Sequence, residues 1–370
     1  MWAAWRSSKG WFAMLVGVQL VFGQAAAHEG SIEPLVRLAE TQIAARQLDD
    51  GIRTLSRAVE IVRRSAGQHD HRQYDLLRRL VDVQSLAGQL RSASASLLRM
   101  KRVSERTHGR HSTQHARALV EVADWHCRIG EFTRARRLYR ESIELLDGLI
   151  DRPALIDALS ALARCCTQEL LRDGISTSPD SLDAYRGPIE PGGWPGVDSS
   201  AFHEHVSRML RREGEQALQR AVRLADPDGL DANRRVSLLL QTGDWYHAKG
   251  DIGAAQNFYS AAHIVAAQNS AEVNSLLAVP AHVLYPVPPS ALRAHNPFGD
   301  GLEHVVEFEL TVTADGRAVD VRPISHEAHE REIDETRNAL RAARFRPRFE
   351  HGKPVNTAGV RFRQIFRVFI

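Results

Sequence analysis

Two stretches of this chain, GEFTRARRLYRES at residues 130–142 and GDIGAAQNFYSAA at residues 250–262, are built on the same plan. Each begins with a glycine, reaches an alanine five residues later and a tyrosine four residues after that. Apolar or small side chains precede both at helical spacing: Leu119, Val122 and Ala123 before the first, and Leu239, Gly243 and Tyr246 before the second. The pattern predicts a helix A, a glycine turn and a helix B that approach closely wherever small residues face large ones.

Weaker copies of the same unit precede the stretch that begins at Gly130. The turn positions Arg46, Gly88 and Gly130 are 42 residues apart (88 − 46 and 130 − 88). The unit resembles the tetratricopeptide repeat. Its spacing exceeds that of the common form and is similar to the variant with extended helices in kinesin light chains. About five such units predict a repeat array over residues 28–279, in which each unit buries its apolar face against its neighbours.

The fourth unit is predicted to be split. Leu155 to Leu171 forms its helix A, and its helix B lies around Gly214, with an insertion rich in Gly, Pro and Ser at residues 173–199 between them. A loop of this length inside a compact array is often functional or disordered. Trp194, within this insertion, is either a binding anchor or an aromatic that the loop packs against itself.

The A helices of such an array line a concave groove. The side chains expected there are Gln84, Asp124, His126, Asp244 and His247. One interpretation is a groove that binds an extended peptide or a partner helix, and the other is a solvated inner face without a ligand.

The last seventy or so residues have a different pattern. A strand with alternating apolar residues (304–312), a turn at residues 314–316, a return strand ending at Pro323, a helix (328–343) and a final strand (360–369) follow one another. The predicted fold class is therefore mainly α: a tetratricopeptide-like solenoid followed by a small α+β domain with a three-stranded antiparallel sheet and one helix.

This segment resembles the C-terminal domain of the TonB family. The resemblance rests on Tyr285-Pro286, Val306-Glu307-Phe308, Ala314-Asp315-Gly316-Arg317, Val319-Asp320-Val321, Leu340-Arg341, Phe345-Arg346-Pro347 and Gly352-Lys353-Pro354-Val355. It implies a domain at residues 299–370 in the periplasm that pairs with a short segment of an outer-membrane receptor by strand addition. A proline-rich connector at residues 280–298 is expected to hold this domain away from the array.

The N-terminus predicts export. Arg6 and Lys9 precede an apolar run from Trp11 to Phe22, and Ala25-Ala26-Ala27 offers a cleavage site before His28, so residues 1–27 form a predicted signal peptide. The run is shorter than the roughly 20 residues of a membrane span, although an uncleaved anchor is the alternative. The chain lacks the spacer of a true TonB energy transducer, so its C-terminal domain is expected to bind without being driven.

Composition and cysteine content narrow the classes of protein to which this chain can belong. The formal net charge is +3, which gives no indication of nucleic-acid binding, and 44 of the 48 basic residues are arginine (48 − 4 lysines). Cys127, Cys165 and Cys166 are the only cysteines. They are either small buried residues or include one bridge from Cys127 to Cys165 or to Cys166.

Catalytic chemistry is not predicted. The run His326-Glu327-Ala328-His329-Glu330 has the wrong spacing for a zinc protease helix, and His69-Asp70-His71 lacks a third ligand. We therefore expect no enzyme activity, no cofactor, no metal and no small-molecule substrate. An unrecognised cell-wall hydrolase or metal enzyme is the residual hypothesis.

Arginines dominate the C-terminal end. A final strand paired with the first would oppose Glu307 and Glu309 to Arg361 and Arg363. Arg346, Arg348 and Arg367 would then remain free to meet a partner, and all five arginines are candidate partner-binding residues.

Together these patterns predict a periplasmic adaptor whose groove binds one protein and whose TonB-like domain contacts another in the cell envelope. An outer-membrane receptor is one candidate partner, and contact with the membrane would be peripheral. The alternative is a TonB-type energy transducer for outer-membrane transport that keeps its N-terminal anchor.

Overall fold

The computed structural model describes residues 32–172, 199–225, 231–269, 278–286, 288, 302–326, 329–350 and 352–368. Ten helices precede the strands in these ranges. Their bounds are α1 Glu33–Ala44, α2 Leu48–Ala66, α3 Arg72–Leu86, α4 Leu90–His108, α5 Thr113–Arg128, α6 Phe132–Leu149, α7 Arg152–Arg172, α8 Ser199–Leu224, α9 Ala232–Ala248 and α10 Ile252–Ala267. They form helix pairs of the tetratricopeptide type, as the sequence predicted.

The turn between the two helices of a pair has the same backbone conformation in four of these pairs. Arg46, Gly88, Gly130 and Gly250 have φ values of 61°, 71°, 82° and 88°. This left-handed conformation favours glycine, which explains the glycine at three of the four positions. The predicted turn positions are therefore confirmed, including the less usual arginine.

The chain divides into two compact units at Arg110 and His111. The first contains α1 to α4. Its core is made of aliphatic and small side chains such as Ala39, Leu55 and Ala58. A buried polar contact also joins its second pair, because the Ser96 hydroxyl donates to Gln84 Oε1 at 2.9 Å.

The second unit contains α5 to α10 and the strands. Its split helix pair, α7 with α8, is joined to α6 by a largely buried ion-pair network. Arg136 Nε lies 2.9 Å from Glu169 Oε2, and Arg136 Nη1 lies 3.2 Å from Glu213 Oε2. Helix α8 therefore completes the pair begun by α7, as predicted. Residues 173–198 lie outside the described residues, and with them most of the predicted insertion.

The C-terminal part contains seven described strands and one helix: β1 Ala281–Leu284, β2 Leu302–Val312, β3 Ala318–His326, α11 Glu330–Ala342, β4 Arg344–Arg346, β5 Arg348–Glu350, β6 Lys353–Val355 and β7 Thr357–Val368. The main sheet has the antiparallel order β3-β2-β7. Phe308 and Phe366 of this sheet form one buried cluster with Leu340 of α11. The predicted three-stranded sheet with one helix is confirmed.

The register of β2 and β7 also agrees with the prediction. Glu307 lies opposite Arg363, and Glu309 lies opposite Arg361. The return strand differs, because β3 continues beyond Pro323 to His326. A register shift next to the Phe308–Pro323 pair accommodates the proline in this edge strand.

Short strands that the sequence did not predict connect the sheet to the array. Strand β1 lies inside the predicted connector and pairs with β4, and both strands pack against α9. The prediction that residues 280–298 hold the two domains apart is therefore wrong for residues 281–284. Leu284 of this segment is buried, and the segment belongs to the fold of the C-terminal part.

Candidate partner-binding surface

The C-terminal part is attached to the last helix pair by an arginine–aspartate pair. Arg346 on β4 donates two hydrogen bonds to the Asp244 carboxylate on α9, from Nε to Oδ1 at 3.0 Å and from Nη2 to Oδ2 at 2.6 Å. The Arg346 and Asp244 side chains are only 14% and 25% exposed. Burial disfavours the charged guanidinium, yet the Asp244 carboxylate outweighs burial and holds the pKa of Arg346 above its usual value.

Tyr259 on α10 completes this cluster. Its hydroxyl donates to Asp244 Oδ1 at 2.9 Å, and its ring lies under the Arg346 guanidinium, 5.9 Å from centroid to Cζ. Burial first, and then the Asp244 carboxylate, raise the pKa of the Tyr259 hydroxyl, which therefore stays protonated. Asp244 thus accepts hydrogen bonds from both sides of the junction, from Tyr259 and from Arg346. Each of these three side chains restrains the position of the other two.

Phe349 on β5 extends the same junction with an apolar contact. Its ring meets Tyr259 edge to face at 5.8 Å and stacks on His263 at 6.5 Å, both between ring centroids. Phe349 belongs to the buried cluster of α9 and α10, together with Val236 and Leu240. The C-terminal part therefore supplies a side chain to the core of the last repeat.

His247 and Gly316 form the third contact of the junction. His247 on α9 is 2% exposed, and a Cβ atom added at Gly316 would lie 2.3 Å from its Cε1 atom and 2.1 Å from the Phe345 carbonyl oxygen. Burial is the largest cause that lowers the pKa of His247. The neutral imidazole packs directly against the turn between β2 and β3.

The earlier helix pair α5–α6 contains residues that correspond to those of the junction. Asp124 and Tyr139 correspond to Asp244 and Tyr259 at an offset of 120 residues (244 − 124), and the Tyr139 hydroxyl donates to Asp124 Oδ1 at 2.5 Å. The residue that corresponds to His247 is Cys127, whose Sγ contacts Gln168 on α7. The Gly316 turn thus contacts His247 of α9, whereas the corresponding Cys127 of α5 contacts the helix of the next repeat. We call the C-terminal part the cap of the last helix pair because it covers α9 at this contact.

The predicted groove residues lie mainly in contacts within the protein. Gln84 and Asp124 have the partners given above, and His126 Nδ1 lies 2.8 Å from Glu131 Oε2. Asp244 and His247 lie in the junction. Burial lowers the pKa of His126, and the nearby Arg134 acts in the same direction. The expectation of a groove lined by these five side chains is therefore wrong for the buried Gln84, His126 and His247. Whether Asp124 binds a partner stays a prediction.

The arginine candidates separate into two groups. Arg346 is paired with Asp244, and Arg348 lies 2.6 Å from Glu350, so the prediction that these two remain free is wrong. The sequence does not predict the first pair, because 102 residues separate its members. Arg361 and Arg363 are exposed on β7, beside Ile365, which is 38% exposed.

Two other candidates have less structural detail. Arg367 is placed on β7 opposite Glu303, and its side chain is not described. Trp194 lies outside the described residues, as does the predicted signal peptide.

The two edges of the main sheet differ in their suitability for strand pairing. Edge strand β3 has two register shifts against β2 and contains Pro323, which are features that block pairing with another chain. Edge strand β7 runs in regular register from Val360 to Val368. Within the described residues, β7 pairs with β2 alone in this sheet, so its other edge has unpaired backbone groups.

The described residues contain no group of three or more His, Cys, Asp or Glu side chains arranged to hold a metal ion. Within the same ranges, no helix combines the length and hydrophobicity needed to span a membrane.

Comparison with known proteins adds structural neighbours only. No family model matches the chain, and no curated protein matches it. A Podosopora anserina protein described as a kinesin light chain with nearly identical TPR-like repeats is similar in structure. It shows 13% identity and a TM-score of 0.45, over 65% of this chain and 97% of that one. BtubC of P. vanneervenii shows 13% identity and a TM-score of 0.44, over 68% of this chain and 85% of its own.

Proposed function

We propose that this protein is an adaptor of the bacterial cell envelope that holds partner proteins and catalyses no reaction. The repeat fold is of the kind that serves as a protein–protein interaction scaffold. The finer part of the proposal is that the C-terminal sheet, like the TonB-type domain it resembles, receives an extended partner segment along the free edge of β7.

The regular edge of β7 is the observation that carries this proposal. An added strand would form main-chain hydrogen bonds along residues 360–368, and these bonds supply affinity without a specific side-chain signature. Arg361 and Arg363 are exposed and would face the side chains of the added strand. Acidic residues at the facing positions would stabilise the pair by about 0.2–1 kcal/mol each. The proposed partner is therefore an extended segment with acidic side chains.

Photo-crosslinking in living cells tests this interface. A benzophenone amino acid is placed at position 365 on β7 in one protein and at position 264 on α10 in the control, because Ile365 and Ile264 are both exposed isoleucines. We expect one discrete crosslinked protein from position 365 and a reduced yield when Arg361→Gln and Arg363→Gln are added. Equal crosslinking from both positions would contradict the proposal.

Export is the second part of the proposal, and it rests on the N-terminal pattern. The mass of the mature protein tests it. A chain beginning at His28 supports the periplasmic adaptor, whereas an intact N-terminus in the membrane fraction supports the alternative of an anchored energy transducer.

A further inference from the structure

The three cysteines occupy two different environments in the second unit. Cys127 on α5 and Cys165 and Cys166 on α7 are all buried. The Cys127 thiol donates to Gln168 Oε1 at 3.0 Å, and Gln168 follows Cys165 by three residues on α7. Residues three apart lie on the same face of a helix, so Cys165 and Gln168 both face α5.

All three cysteines are free thiols in the structure, and the Cys127 and Cys165 thiols interact with each other. A hydrogen bond joins them, and together with burial it raises the pKa of the Cys165 thiol. Cys166 faces elsewhere, because consecutive residues point in different directions on a helix. Its thiol, whose pKa is raised by burial, lies near the ion pairs of Arg136 and Arg140 with Glu169 and Glu213.

We propose that Cys127 and Cys165 form a disulfide bond that links α5 to α7, and that Cys166 remains a thiol. The oxidant is a low-molecular-weight disulfide such as oxidised glutathione. One protein thiolate attacks it and releases one glutathione. The second protein thiolate then attacks the mixed disulfide and releases the other glutathione, and the two thiol protons end on the two glutathione molecules.

The bridge forms while the chain folds. In the folded protein both thiols are buried, and the thiolate is the attacking species, so reaction with a dissolved oxidant is slow. The bond closes a loop of 38 residues (165 − 127) and restricts the unfolded chain. In the cell this inference rests on the export part of the proposed function, because disulfides persist in oxidising compartments, and it is independent of any partner at β7.

Refolding with thiol mapping tests the bridge. The full chain is refolded in a glutathione redox buffer, its remaining thiols are alkylated, and the tryptic peptides are analysed without reduction. Trypsin releases Cys127 in residues 118–128 and the other two cysteines in residues 165–172. We expect these two peptides to be linked, with one alkylated thiol in the pair. Three alkylated thiols would overturn the proposal.

Two serine variants identify the bridged residue. Cys166→Ser keeps the linked peptide pair, whereas Cys165→Ser loses it. The reverse result would overturn the assignment. If Cys165→Ser does not fold, fragmentation of the linked wild-type peptides decides between the two adjacent sulfurs. The oxidised protein also melts at a higher temperature than the reduced protein, both as wild type and as Cys166→Ser.

Discussion

Asp244 is the residue that joins the two parts of the second unit most directly. It accepts hydrogen bonds from Tyr259 within the last repeat and from Arg346 of the C-terminal part. A buried carboxylate left without its arginine costs more than a solvent-exposed ion pair contributes. The strength of the junction therefore depends on both partners being present.

A double-mutant cycle measures this dependence. We expect Arg346→Ala to lower the free energy of unfolding by about 1–3 kcal/mol, because it leaves a partly buried carboxylate without its strongest donor. In the double variant with Asp244→Ala, the loss of unfolding free energy should differ from the sum of the two single-variant losses. We expect this difference, the coupling energy, to be about 0.5–3 kcal/mol. Urea unfolding of the four proteins gives these values, and strictly additive losses would show that the pair does not stabilise the junction.

Gly316 permits a second prediction at the residue scale. Its φ is 79°, and Gly359 has a similar φ of 70° with nothing within 4 Å of an added Cβ atom. Gly359→Ala should therefore cost only the conformational penalty of about 1–2 kcal/mol.

Gly316→Ala should destabilise more, because its methyl group would collide with the Phe345 carbonyl and the His247 ring. Thermal unfolding of the two variants compares them under one condition. Equal losses would mean that the turn can move away from His247 without cost.

At the scale of elements, the helix pairs were readable from the sequence because their signals are local. Gly130 and Gly250 precede Tyr139 and Tyr259 by the same number of residues in the sequence. The left-handed backbone conformation of the turn favours glycine, and the sequence has glycine at both positions. The strands β4, β5 and β6 have three residues each, so alternation over so short a run predicts nothing. The pairing of Arg346 with Asp244 leaves no local pattern either, and only the folded chain reveals it.

The β5 strand offers a prediction for the capping contact. Phe349→Ala should destabilise the second unit by about 3–5 kcal/mol, because it removes an aromatic ring from a packed core. Hydrogen exchange should show faster exchange in α9 and α10, which contact Phe349, and unchanged exchange in α5 and α6. Phe349→Leu is the matched control and should retain most of the protection. Uniform loss along the unit would mean that Phe349 supports the fold as a whole.

At the scale of the molecule, two buried histidines make stability depend on pH. Burial lowers the pKa of both His126 and His247 from the ordinary value of 6.5. Because the unfolded chain binds protons more readily, their contribution is complete above about pH 6.5 and falls as the pH drops toward the lowered folded-state values.

This dependence is measurable between about pH 8 and about pH 5, the range in which histidine changes charge. We expect the urea midpoint of the wild type to fall across this range. His247→Asn should flatten the fall, and the double variant with His126→Asn should flatten it further. An unchanged slope in both variants would assign the acid sensitivity to other groups.

The cap on the last repeat also limits how this array can change in length. A further helix pair added after α10 would need the surface of α9 and α10 that the Gly316 turn, Arg346 and Phe349 already occupy. We therefore expect an inserted helix pair to be accommodated only upstream of Ala232, before the last helix pair and the sheet that covers it.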